Sequence, residues 1–208
     1  MLKCPDFLPA TLIVASHRVH LSAGQVLFAC GAPVENLYWV LRGEVVAQRP
    51  MPSGQDAVMM RSRCGEFFAE SSIYMPCYEC DAVARRPAVV MALPLPTLRQ
   101  TLADDVHFSD VFLRLMVMAL RRQSSRVERL RLRGASERIQ HYLSCEASAD
   151  GCCQLDMPLS EWALELGLEP ETLYRTLRVL EEKGLVSRDK QRMRLCTGTR
   201  PHILWWAT

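Results

Sequence analysis

No stretch of this 208-residue chain stays apolar for the ~20 residues that a bilayer-crossing helix needs. Pro94 and Pro96 interrupt the best candidate, "AVVMALPLP", so no membrane span is expected. A secretory leader is missing too. "MLKCPDFLPATLIVAS" has one lysine, then Asp6 and two prolines before a short apolar run, and a cytoplasmic location is expected. Nor is there a large charge of one sign: the net charge is +2 at pH 7, so no global basic character announces nucleic acid. Cysteine, by contrast, is plentiful, at positions 4, 30, 64, 77, 80, 145, 152, 153 and 196. An odd number of thiols without a leader argues against a disulfide framework and for reduced cysteines, some of them ordinary core filler.

The hydropathy pattern changes period along the chain. Residues 19 to 64 alternate apolar and polar positions in short bursts, with glycines at 24, 31, 43, 54 and 65 as punctuation. Such spacing predicts short strands in a β-barrel or sandwich. A further strand pair is expected in "CDAVARR" and "AVVMALP", around Pro87. From Asp104 to Arg133 there is neither glycine nor proline, and Leu113, Met116, Leu120, Gln123, Val127 and Leu130 recur at alternating steps of three and four. That is a heptad seam on a helix that Gly134 is expected to end, and a seam calls for a second helix opposite, so a homodimer is expected. The bland alternative is a long helix lying on its own barrel. The fold class is α+β, in three segments: 1–103, 104–133 and 134–208.

The last segment reads as helix ("SERIQHYLSCEA"), loop ("SADGCCQ"), short strand ("QLDM"), helix from about Pro158, a turn at Gly167, then a second helix opened by Pro170 and capped by Gly184. Two strands around Asp189 follow. Helix, turn, helix and hairpin is the order of a winged helix-turn-helix. The second helix of such a motif enters the major groove with its N-terminal residues against base edges. Here those are Glu171, Thr172, Tyr174 and Arg175. Glu171 and Arg175 share one face; a carboxylate accepts from cytosine and an arginine donates twice to guanine. Arg178, Arg188, Lys190 and Arg192, with Lys183 and Arg194, are placed to meet phosphates. Residues 170 to 200 hold eight Lys/Arg against four Asp/Glu, a local basic face on a segment that is slightly acidic from Gly134 onward. The alternative for Glu171 and Arg175 is a plain salt bridge on a solvated helix.

These stretches resemble the cyclic-AMP receptor/FNR superfamily of bacterial transcription regulators over nearly the whole chain. "LSAGQVLFACGAPVENLYWVLRGEV" is similar to the family's opening β-roll strands, "GEFFAE" to its ligand cradle and "LGLEPETLYRTLRVLEEKGLV" to its recognition helix. The resemblance implies an N-terminal β-roll, a long dimerisation helix and a C-terminal winged helix-turn-helix. It implies a dimer on an inverted-repeat operator with a TG-containing half-site core, and RNA polymerase as a partner if the protein activates. Pro170 and Tyr174 depart from the family at positions that vary with operator choice.

In the effector pocket the resemblance carries over only in part. Gly65 and Glu66 match the turn and the ribose-contacting acid of the cyclic-nucleotide binders. Glu79 and Cys80 stand where those proteins hold the cyclic phosphate with an Arg-Ser pair. A carboxylate repels phosphate and lacks arginine's two donors, so cyclic AMP is not the expected effector. On the dimer helix Ser124 matches a family polar contact and Gln123 replaces a threonine. Cys77 and Cys80, read as a turn, would chelate a soft metal ion, with Cys64 as a third ligand and Met75 as a softer one, or close into a disulfide. The readings are a thiol sensor of soft metal, metalloid, oxidant or reactive sulfur, and unremarkable filler. Haem is a weaker alternative: only Cys4 lies near the N-terminus for an iron–sulfur cluster, the positions of the haem ligands in carbon-monoxide-sensing members hold Ala69 and Ser71, and His17 or His20 would have to serve. Cys152 and Cys153, with Cys145 nearby, would trap arsenic(III) or mercury(II), but an exposed loop is favoured. A reading of another class is a thiol-disulfide oxidoreductase using Cys77 and Cys80.

Overall fold

A computed structural model describes residues 4–50, 56–148, 150–155 and 157–196. The expected turn at Gly54 and the last cation of the basic run, Arg200, lie outside the described residues. The chain divides into two compact units after Met116.

The first unit opens with helix α1 (Ala10–Ala15) and continues through β1 (His17–Leu21), β2 (Val26–Phe28), β3 (Asn36–Arg42), β4 (Glu44–Pro50), β5 (Asp56–Arg63), β6 (Phe67–Phe68), β7 (Asp81–Ala84) and β8 (Ala88–Pro94). These make two four-stranded sheets, ordered β1-β8-β3-β6 and β2-β7-β4-β5. Successive side chains of a strand leave opposite faces. Tyr38 and Val40 of β3 with Ala88, Val90 and Ala92 of β8 therefore enter a core shared with Phe28, Val45, Ala82 and Ala84 of the second sheet. Their neighbours Leu37, Trp39, Leu41, Val89, Met91 and Leu93 enter another core, covered by Leu12 of α1, by Leu98 of α2 (Leu95–Asp104), and by Phe108 and Phe112 at the start of α3 (Val106–Arg131). Burial on both faces is why "LYWVL" and "VVMAL" read as unbroken apolar runs.

The strand pair expected around Pro87 is corrected. β7 and β8 are both strands, but they belong to different sheets and do not pair. Residues 85–87 carry the chain across from one sheet to the other, and Gly43, with φ +80°, leaves room for them: a Cβ there would stand 2.4 Å from the Pro87 carbonyl oxygen.

The long helix begins two residues later than expected. Asp105 is extended (φ −110°, ψ 95°) and its Oδ1 accepts the Phe108 amide at 2.9 Å, an N-cap that separates α2 from α3. The helix also ends earlier, at Arg131. Gly134 does not terminate it but opens α4 (Ala135–Glu146), donating its amide to Glu137 Oε2 at 3.1 Å as half of a capping box. The seam lies bare on this chain: Leu113, Leu120, Val127 and Leu130 are 61%, 68%, 53% and 44% exposed. Met116, in contrast, packs on the first unit's outer core.

In the second unit α4 is followed by β9 (Cys152–Gln154), α5 (Leu159–Glu165), α6 (Pro170–Glu182), β10 (Val186–Asp189) and β11 (Arg192–Leu195). The three strands form one sheet, ordered β10-β11-β9. Here the vicinal cysteines are a second correction. They are strand, not loop, and the strand sits two residues upstream of the expected "QLDM". Cys153 pairs with Met193 and is 2% exposed in a core with Ile139, Trp162, Leu173 and Leu177. It packs as a small hydrophobe.

Candidate nucleic-acid interface and effector site

Helix α6 is amphipathic in the way its sequence demands. Leu173, Leu177 and Leu180 are buried in the second core, and Glu171, Tyr174, Arg175 and Arg178 are exposed. Thr172 is half-buried, and its carbonyl accepts the Thr176 hydroxyl at 2.7 Å. Tyr174 is 50% exposed, a large ring held out of the core. Glu171 and Arg175 make no ion pair among the described residues, so the salt-bridge alternative does not occupy them. Pro170 takes the first helical position and Gly184, at φ +65°, follows the last turn.

The cations expected to meet phosphate are less free. Arg178 Nε meets Glu182 Oε1 at 2.9 Å and Arg188 Nε meets Glu181 Oε1 at 3.4 Å. Arg192 Nη2 meets Asp150 Oδ2 at 3.4 Å, and Arg194 Nη2 donates to the Asp150 carbonyl at 3.0 Å. Lys190 sits at the wing tip with φ +53° and no ion pair among the described residues. Exposed pairs of this kind contribute ~0–1 kcal/mol each, so exchanging a carboxylate for a phosphate costs little.

Two positioning residues escape a reading of the sequence. Asp150 accepts the Ser148 hydroxyl at 2.5 Å and the Cys152 amide at 3.0 Å while holding the two wing arginines; the Ser148 hydrogen bond, first, holds its carboxyl below the ordinary value. Arg138 gathers four carbonyls: Leu132 at 2.8 Å, Gly167 at 2.8 Å, Leu166 at 3.1 Å and Leu130 at 3.4 Å. It thereby ties the end of α3 to the turn between α5 and α6. Gly167 belongs to that turn, with φ +63° and a would-be Cβ 2.9 Å from Leu130 Cδ2. The wing arginines and the turn at Gly167 are distant in sequence from Asp150 and Arg138, so no local spacing signals these contacts.

In the first unit Gly65 turns at φ +87°, donating its amide to the Val40 carbonyl at 2.9 Å. No helix follows Gly65 directly. β6 intervenes, then Ala69 in the left-handed region (φ 70°) leads into a single 3₁₀ turn, Glu70–Ser72. Glu66, half-buried, closes its own turn by accepting the Arg63 amide at 2.9 Å. Glu79 is exposed, and its carbonyl accepts Arg49 Nη2 at 3.1 Å. Cys80 is half-buried against the core between the sheets; burial, first, pushes its thiol above the ordinary 9.0, with Cys30, Asp81 and Glu79 adding to the shift and Arg49 opposing it. Gln123 and Ser124 are exposed on α3, and Ser124 Oγ donates to the Leu120 carbonyl at 3.1 Å.

The three-cysteine metal set is corrected. Among the described residues no three His, Cys, Asp or Glu side chains come together as ligands. Cys64 is turned to the Leu41 carbonyl at 3.1 Å, beside β3. Cys77 bridges to Pro33, and Tyr78 next to it exchanges backbone bonds with residues 31 and 32, so the Cys77–Cys80 run is laddered against a facing loop. Tyr78 is buried and stacks on Phe28, with ring centroids 3.6 Å apart. His17 and His20 are exposed on β1, Ala69 is buried and Ser71 exposed.

Comparison with known proteins finds two domain families in tandem. The "Cyclic nucleotide-binding domain" matches residues 18–105 and the "Crp-like helix-turn-helix domain" residues 137–197. The CRP-like cAMP-activated global transcriptional regulator of Mycobacterium tuberculosis (strain CDC 1551 / Oshkosh) is 24% identical over 185 residues, covering 85% of this chain and 83% of the relative. The global nitrogen regulator of Nostoc sp. is 24% identical over 180 residues, covering 81% and 80%. Among solved structures, FixK2 from Bradyrhizobium japonicum superposes with a TM-score of 0.65 at 19% identity, over 88% of this chain and 93% of that one, a likeness of fold.

Proposed function

The chain belongs to the cyclic-AMP receptor protein/FNR superfamily of transcription regulators, and on that premise we propose that it works as a homodimer on an inverted-repeat operator, switched through thiols of its β-roll rather than by a cyclic nucleotide. The family consists of DNA-binding regulators, not enzymes, which sets the oxidoreductase reading aside. Its helix-turn-helix binds DNA; the residues that read bases are the proposal's own, Glu171 and Arg175 foremost, with Thr172 and Tyr174 flanking.

The observation that carries the effector reading is the segment from Cys77 to Asp81, which offers two thiols and the exposed Glu79 where the related binders hold a phosphate. A soft electrophile suits that chemistry better than an anion. Burial keeps Cys80 protonated at neutral pH, so the resting site resists casual oxidation.

The test is operator affinity, on a duplex selected from random sequence, with and without a thiophilic metal ion, inorganic polysulfide or hydrogen peroxide. Wild type should change affinity with at least one agent. Cys80→Ser should remove the response, and Cys152→Ser, in the wing sheet, should retain it. An unchanged response in Cys77→Ser and Cys80→Ser alike would place the effector elsewhere.

A further inference from the structure

A third cysteine stands across from the effector segment. Phe28 of β2 is the Cα partner of Ala82 in β7, and beyond the ladder Pro33 is the partner of Cys77. Between these pairs the first run turns: the Ala32 amide donates to the Ala29 carbonyl at 3.2 Å, with Cys30 and Gly31 at the corner and Gly31 at φ +84°. Hydrogen bonds fasten the two runs between those pairs. The Cys30 amide donates to Asp81 Oδ1 at 2.7 Å, the Gly31 amide to the Tyr78 carbonyl at 2.8 Å and the Tyr78 amide to the Ala32 carbonyl at 2.9 Å.

The Cys30 amide is thus held against the residue next to Cys80, while Cys77 stands opposite Pro33, further along both runs. Cys30 is exposed, Cys80 half-buried, and both are free thiols. Burial first, and then an ionised Cys30, raise the Cys80 thiol, while Arg49 opposes them.

We propose that Cys30 and Cys80 are a reversible redox pair that closes into a disulfide under hydrogen peroxide. The thiolate of the exposed Cys30 attacks one peroxide oxygen and breaks the O–O bond, giving a sulfenic acid and, after protonation of the leaving hydroxide, water. The Cys80 thiol, giving up its proton to the departing hydroxyl, attacks the sulfenic sulfur, and that hydroxyl leaves as a second water. Two thiols lose two electrons to form one S–S bond, and one peroxide is reduced to two waters. A thiol reductant reverses the step by exchange. The bond clamps the turn around Gly31 onto the segment that carries Glu79. Only its effect on DNA rests on the thiol-sensing reading above.

The experiment treats the full chain with hydrogen peroxide, blocks remaining thiols, digests without reduction and maps cross-linked peptides by mass. A peptide pair joining Cys30 to Cys80, abolished by dithiothreitol and by Cys30→Ser, retained in Cys77→Ser, is the expected result. A Cys77–Cys80 link, or sulfinic acid at Cys30 with Cys80 still free, overturns the pair; the mapping on wild type needs no variant to fold. Operator affinity on the same samples separates the two readings. A roughly 5-fold or larger change that follows the Cys30–Cys80 link couples the pair to DNA. The link with unchanged affinity keeps the redox pair and removes thiol control. A peroxide response with some other link keeps thiol control and removes the pair.

Discussion

At the scale of single residues, Arg175 and Lys190 make opposite predictions. Arg175 is exposed on the face proposed to read bases and is paired with no carboxylate among the described residues, so Arg175→Ala should cost ~1–3 kcal/mol on the best operator and relax preference at one G·C pair. Lys190, at the wing tip, should weaken specific and non-specific duplexes alike when replaced by Ala, and lower the salt slope by about one. Competition titrations at several salt concentrations distinguish them, and an unchanged specificity ratio in Arg175→Ala removes it from base reading. Glu171 and Arg175 are legible in the sequence because Pro170 fixes where the helix begins, and with it which face each residue occupies. Asp150 and Arg138 are not, because Arg192, Arg194 and the turn at Gly167, which they hold, lie far off along the chain. Cys153 misleads for another reason: a vicinal pair beside Gly151 resembles a loop, and only the cross-strand contact with Met193 shows it to be core. Burial also makes a pH prediction. It raises Tyr38 and Tyr78 above their ordinary 10.0, and Cys80 above 9.0. The unfolded chain then gives up these protons first. Their contribution to stability is complete below the unfolded values and is lost as pH rises through the folded ones. Urea unfolding at pH ~8 and ~11 should show the loss in wild type, and Tyr38→Phe should lose less. Equal losses would mean that Tyr38 takes no part.

At the scale of elements, the period of α3 was readable from its heptad spacing, but both its ends were set by side chains that period does not register. Asp105 starts it by capping, and Gly134 belongs to the next helix. The sheets show the same limit: each strand declares itself by its apolar positions, while the switch of sheet between β7 and β8 depends on a close approach at Gly43 that only the folded chain reveals. The exposed seam predicts an assembly state. Val127 and Leu130 remain in water on a lone chain, and Gln123 interrupts the stripe. In a dimer that buries the seam, Gln123→Leu removes a polar group from an apolar interface and should tighten self-association. Sedimentation over a concentration series measures it. A wild type that stays monomeric at micromolar concentration, with or without DNA, contradicts the dimer.

At the scale of the whole molecule, a symmetric dimer of helix-turn-helix units should protect an inverted repeat whose half-site centres are roughly 34 Å apart, one turn of duplex. Footprinting on selected duplexes reads this directly. Protection of a single half-site, or of direct repeats, excludes two-fold pairing of the recognition helices.

The pairing of β1 with β8 carries a consequence for how the protein is made. Synthesis runs from the N-terminus, so His17–Leu21 leaves the ribosome long before Ala88–Pro94 exists to receive it, and β3 waits for the same partner. Until then the first sheet lacks its central strand and offers unpaired backbone and apolar side chains to anything nearby. The outer core waits longer still, because Phe108 and Phe112 close it from the start of α3. The nascent chain thus stays prone to aggregation from β1 until β8 and then Phe112 have been added. A synonymous change that slows translation just before β8 should lower the soluble yield, whereas one placed after α3 should not.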